Sequence, residues 1–134
     1  MLRKYRMTIT RFNPEPTTVT ETFSSCDAAS AWLGTPTDIE CCIESTAWLG
    51  RSCIGDFYLW CSGGYAIAQI GEHREHNATN LDGALLVDHP VLFRDEDGST
   101  YTPAPELILP RELAMRAMHE WLVDFEHPSI LRWS

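Results

Sequence analysis

Five histidines, five cysteines and nineteen carboxylates are the residues of this chain best able to do chemistry, and their spacing limits which chemistry that is. The cysteines stand at 26, 41, 42, 53 and 61 with no C-x-x-C pair, so neither a zinc ribbon nor a dithiol redox motif is formed. His73 and His76 lie three apart beside Glu72 and Glu75, and with Cys61 or Asp82 they make a candidate metal set. Such side chains in a polar loop are more often simply solvated. Cys–His pairs can be drawn, but none carries a glycine elbow, and G-x-G-x-x-G, P-loop and H-E-x-x-H patterns are absent. We therefore expect no catalytic residue, no metal and no cofactor. The alternatives are a small cytosolic thiol- or metal-dependent enzyme using His73, His76 or a cysteine, and an adaptor with an unknown protein partner.

Binding residues are better marked than catalytic ones. Ile39, Cys41 and Ile43 alternate with Glu40, Cys42 and Glu44, and Phe57, Leu59 and Cys61 alternate with Tyr58 and Trp60. In a strand, successive side chains point to opposite faces. If Ile39, Cys41, Ile43, Phe57, Leu59 and Cys61 face the core, then Glu40, Glu44, Tyr58 and Trp60 face outward. Exposed aromatic rings beside carboxylates have the composition of a hot spot for a basic partner. The plainer reading is that a loop or further strand covers them. Asp95, Glu96 and Asp97 in one turn, and Glu72, Glu75 and Asp82 in a polar loop, extend the candidate surface, although each acid alone is most often just solvated.

Charge supports the same direction. Ten Lys and Arg against nineteen Asp and Glu give −9, and four of the basic residues fall in the first eleven positions, so the remainder carries 6 − 19 = −13. A field of that sign repels nucleic acid and speeds encounter with basic partners. Solubility alone is the competing explanation. A chain of 134 residues that is 44% hydrophobic makes one domain, 1–134, with enough core to do without disulfides. No run of about 18 apolar residues exists, and the basic N-terminus leads into alternating residues rather than an apolar block. We expect a cytoplasmic protein with reduced thiols and with neither a membrane nor a nucleic acid as partner.

The elements that must position these residues can be read in order. Tyr5, Met7 and Ile9 alternate with Lys4, Arg6 and Thr8, a half-buried strand with a basic outer face, and Thr17–Glu21 is a second short strand. Ser24 or Ser25 caps a helix through Asp27 to Leu33, with Gly34 as its stop. The nonapeptides CDAASAWLG (26–34) and CIESTAWLG (42–50) look alike, but their spacing is too short for a repeat unit and their flanks differ. Residues 57–61 and 65–70 form a hairpin about Ser62-Gly63-Gly64, and 91–94 and 99–102 form another about the acidic turn. Residues 71–89 read as a long loop, with one short piece at 84–87. Leu107–Leu109 is a short strand, and Pro110 starts a helix whose Leu113, Ala114, Ala117, Met118, Trp121, Leu122 and Phe125 make one apolar face. The expected fold is α+β: an antiparallel sheet of about five to seven strands, with an N-terminal and a C-terminal helix packed on one face.

The ending LPRELAMRAMHEWLVDFEHPSILRW, with Pro128, Leu131 and Trp133 at fixed spacing, resembles the C-terminal signature of immunity proteins from bacterial polymorphic toxin systems, in the family numbered first among those immunity groups. FYLWCSGGYAIAQIGE is similar to that family's central strands, and VLFRDEDGSTYTPAPELILP to the segment before its helix. The resemblance spans roughly residues 39–133. It implies a non-catalytic inhibitor that binds a cognate toxin domain, commonly a nucleic-acid deaminase or nuclease, and blocks its active-site cleft. It supplies no interface residues, so the candidate surface rests on the alternation above. Trp121 and Trp133 are then scaffold: a core residue and a tail anchor.

Overall fold

Alternation along the first strand, β1 (Arg3–Phe12), sends Tyr5, Met7 and Ile9 into the interior and leaves Lys4 and Arg6 outside. The computed structural model describes residues 2–71 and 75–134. In it β1 pairs on one side with β2 (Pro16–Phe23) and on the other with β3 (Glu40–Leu49), both antiparallel. A meander continues through β4 (Ser52–Ser62) and β5 (Tyr65–Ile70), joined by a two-residue Gly63-Gly64 turn in which Gly63 takes φ 59°. β6 (His76–Thr79) follows, and β10 (Arg132–Trp133) closes that side. The order is β10-β6-β5-β4-β3-β1-β2, with β9 (Leu109–Pro110) on the far end of β5. A separate hairpin, β7 (Phe93–Arg94) and β8 (Thr100–Tyr101), spans the Asp95–Gly98 turn.

The fold is α+β, with one large antiparallel sheet of eight strands and two helices. The sheet exceeds the expected five to seven strands because β6 lies inside the 71–89 segment read as a long loop, where its four residues show no clear alternation, and because β10 is only two residues long. Strands that short have no sequence period and exist only through the neighbours they meet. The apolar run at 107–109 is likewise divided: Pro105–Leu107 is a 3₁₀ turn, and only Leu109 joins the sheet with Pro110. Residues 84–87 form no regular element.

The first helix, α1 (Cys26–Leu33), has the chemistry its sequence announces. The Ser25 Oγ accepts the Ala28 N–H at 3.1 Å, and Gly34 ends the helix at φ 52° with its N–H on the Ser30 carbonyl. The second, α2 (Arg111–Asp124), starts next to Pro110. Its first residue makes a contact that no sequence pattern marks. The Arg111 guanidinium donates to the carbonyls of Asp38 (2.5 Å), Gly63 (3.1 Å) and Pro36 (2.8 Å), while its backbone N–H reaches Gly64 at 2.9 Å. One side chain ties the helix start to the β4–β5 turn and to the loop before β3.

A single apolar cluster joins Ala29 and Leu33 of α1 and Ala114, Met118, Trp121 and Leu122 of α2 to Tyr5, Met7, Ile9, Ile43, Phe57 and Leu59 of the sheet. At about 1.5 to 3 kcal/mol per fully buried large side chain, this cluster dominates the hydrophobic contribution. Trp121 is buried, and Trp133 docks the tail by donating its Nε1–H to the Pro128 carbonyl at 2.8 Å and setting its ring edge-on to Phe57. Ile39 departs from expectation: it is 76% exposed, because β3 begins only at Glu40.

Candidate protein-binding surface

The other face of the sheet carries the candidate residues in cross-strand rows. Thr20, Thr8, Glu44, Tyr58 and Gln69 stand side by side from β2 to β5, and Thr18, Thr10, Cys42, Trp60 and Ile67 form the next row. Alternation thus assigns Glu40, Glu44, Tyr58 and Trp60 to the face predicted for them. Exposure is corrected: Tyr58 and Trp60 retain only 3% and 5% of their surface. A second cluster of Val87, Val91, Phe93 and Ile108 covers them, brought there by the 80–92 connection and the β7–β8 hairpin. An apolar ring on a sheet face left open to water is a strong attractor for any loop with aliphatic residues to bury.

Polar contacts hold the hairpin down. The Trp60 Nε1–H donates to Asp95 Oδ1 at 3.1 Å, the Tyr58 hydroxyl donates to Glu96 Oε2, and the Cys42 thiol donates to the Arg94 carbonyl at 3.1 Å. The acidic turn predicted from Asp95, Glu96 and Asp97 is therefore brought onto the two aromatics predicted beside it.

The result is a concavity of about 200 Å³ lined by Thr8, Thr10, Thr18, Cys42, Glu44, Tyr58 and Glu96. Two carboxylates and three threonine hydroxyls in one recess suit a guanidinium or ammonium group, which needs several acceptors at once. Partial burial, with the neighbouring Asp97 charge adding to it, raises the Glu96 carboxyl above its ordinary range. Asp97 goes the other way, since its Oδ1 accepts both the hydroxyl (2.6 Å) and the N–H (2.9 Å) of Ser99. At the far side Glu40 is paired with the Arg94 guanidinium at 3.1 Å, and Arg94 lies over the Phe12 ring.

Other candidates lie apart from the recess. Asp82 accepts the Ala84 N–H at 2.9 Å within its own turn, and Glu75 is an exposed residue just before β6. Glu72 and His73 fall outside the described residues. Sequence reading missed the three threonines, although Thr8 and Thr10 alternate with Met7 and Ile9 and so belong to this face. It also missed Leu85, Leu86 and Leu92, which stay exposed next to the buried anchors Val87 and Val91.

Cys41 and Cys61 face each other across β3 and β4, both buried. A hydrogen bond from the Cys61 thiol, helped by the Arg111 guanidinium 3.6 Å away, lowers the Cys41 pKa, and the same pairing raises that of Cys61. Cys41 is 1% exposed, so this thiol is enclosed by core rather than presented to a substrate. Among the described residues no three His, Cys, Asp or Glu side chains gather as a metal site would, and no helix is long and apolar enough to cross a membrane. Comparison with models of known families and with curated proteins finds no match to this chain.

Proposed function

We propose that this chain is an immunity protein that binds a cognate bacterial toxin domain in the cytoplasm and neutralises it by covering its active site. The observation that carries this reading is the recess in which Glu44 and Glu96, from elements 52 residues apart in sequence, meet under a rim of threonines. A toxin that acts on nucleic acid, as a deaminase or nuclease does, presents a basic groove to phosphate. An acidic recess on a chain of net charge −9 is complementary to such a groove. The exposed Leu85, Leu86 and Leu92 supply the apolar area that acids alone lack. In this reading Tyr58 and Trp60 brace the acidic turn, and the two helices are scaffold on the opposite face. No cofactor takes part.

Co-expression with the toxin encoded beside it is the test. The wild-type chain should restore growth, and Glu44→Gln, Glu96→Gln and Asp97→Asn combined should abolish rescue while the purified variant keeps the circular dichroism spectrum of the folded chain. Rescue that survives the triple change removes the recess from the interface. No rescue by the wild type removes the function.

A further inference from the structure

β2 is the long outer edge of the sheet: eight residues, seven of them exposed, with no bulge in its pairing to β1. Natural edges are usually shortened, bulged or charged, and the opposite edge, β10, is only two residues long. The direction of the backbone groups follows from one bond. The Leu2 carbonyl accepts the Gly50 N–H at 2.7 Å, so even-numbered residues of β1 bond toward β3 and odd-numbered ones toward β2. Arg11–Thr17, Ile9–Val19 and Met7–Glu21 are then the hydrogen-bonded pairs, and Thr18, Thr20 and Thr22 turn their N–H and C=O groups away from the sheet. Pro16 falls in the same outward series, where its missing N–H removes no ladder bond.

We propose that the chain forms a two-fold dimer by antiparallel pairing of β2 with β2 of a second copy, the axis passing through Thr20. In this register Thr20 faces Thr20, Thr18 faces Thr22 of the second copy, and Val19 faces Glu21. Two bonds for each of the three hydrogen-bonded pairs give about six backbone bonds. The register is selected by the sequence of the strand. A shift toward the C-terminus sets Glu21 against itself, and like charges directly opposite are unfavourable. A shift toward the N-terminus brings Pro16 into the ladder against Thr22. Charge also favours this edge. The β1–β2 ribbon carries four basic residues, Arg3, Lys4, Arg6 and Arg11, against Glu15 and Glu21, so residues 3–23 sum to +2 while the rest of the chain holds −11. Two copies that repel elsewhere are least opposed here. Thr18 also lines the acidic recess, so Thr22 of the second copy extends the rim of that recess. The pairing itself stands independently of toxin binding.

Sedimentation and light scattering from micromolar to millimolar concentration test it. The wild type should move from 15.2 kDa toward twice that mass. Thr20→Glu and Thr20→Lys should each stay at the single-chain mass with an unchanged circular dichroism spectrum, since Thr20 is exposed, and an equimolar mixture of the two should dimerise again. A wild type that stays at the single-chain mass throughout overturns the proposal. So does a Thr20→Glu chain that dimerises as well as wild type, or a mixture that fails to recover.

Discussion

Tyr58 and Trp60 lie 4.2 Å apart between ring centroids, and each sends its one polar hydrogen to a carboxylate of the same turn. Aromatic residues with a polar tip do this when buried, since the ring is worth covering and the N–H or O–H must still find an acceptor. Residue types suited to a partner's surface are thus used to attach a hairpin, and the acids remain as the outward chemistry. A second local device sits at the C-terminal tail. His127 packs edge-on to His76 at 5.0 Å and to Trp133 at 5.5 Å, and burial, then the His76 charge, lowers its pKa below the ordinary 6.5. A depressed histidine pKa means that the undocked tail takes up a proton before the docked tail does. The contribution of His127 to docking is therefore complete above 6.5 and falls away as pH drops through that value toward the depressed one. The protection factors of the Asn77 and Ser134 amides, which bond each other's carbonyls, should fall over that window in the wild type and stay flat in His127→Gln, as hydrogen exchange corrected for the intrinsic pH dependence would show.

At the scale of elements, the two similar nonapeptides are instructive. CDAASAWLG folds as α1 and CIESTAWLG as most of β3. The shared Cys, Ala, Trp, Leu and Gly do not choose between them; the flanks do. Ser25 and Asp27 satisfy and charge-match a helix start, whereas Ile39-Glu40-Cys41 begins an alternation that two neighbouring strands complete. Arg111 shows the reverse case, a residue whose pattern predicts nothing and whose placement joins three segments. Arg111→Ala should cost about 2 to 3 kcal/mol in urea unfolding, because the charge-assisted bonds to three carbonyls are lost together. Arg111→Lys should recover only part of that, since an ammonium cannot fork to Asp38, Gly63 and Pro36 together.

Over the whole molecule, charge is divided. Lys4 and Arg6 lie over the Trp48 ring at one end of the polar face, while Glu44 and Glu96 line the recess on that face, and the remaining acids leave the chain at −9. Surface fields of this kind act on encounter more than on residence, and they are screened over about 8 Å at physiological salt. The association rate with the proposed toxin partner should therefore fall by about an order of magnitude between low and physiological salt, with dissociation changing much less. Stopped-flow mixing at several salt concentrations measures both, and a flat association rate would remove electrostatic steering from the mechanism.

Much of the architecture was legible in the residues themselves. Strand alternation, the Ser25 cap, the Gly63-Gly64 turn, the acidic hairpin turn and the helix after Pro110 are local matters, set by φ preference, capping and period, and the antiparallel α+β arrangement follows from hairpin-joined strands between two helices. Alternation also determined which face Glu40, Glu44, Tyr58 and Trp60 occupy. It could not determine what covers that face, because covering depends on where a distant connection finds apolar area to bury, and Val87, Val91 and Phe93 carry no periodic mark of their destination. The strands β6 and β10, the Arg111 clamp and the meeting of Glu44 with Glu96 were likewise decided only in three dimensions, by long-range contacts whose chemistry lies in the neighbour rather than in the residue.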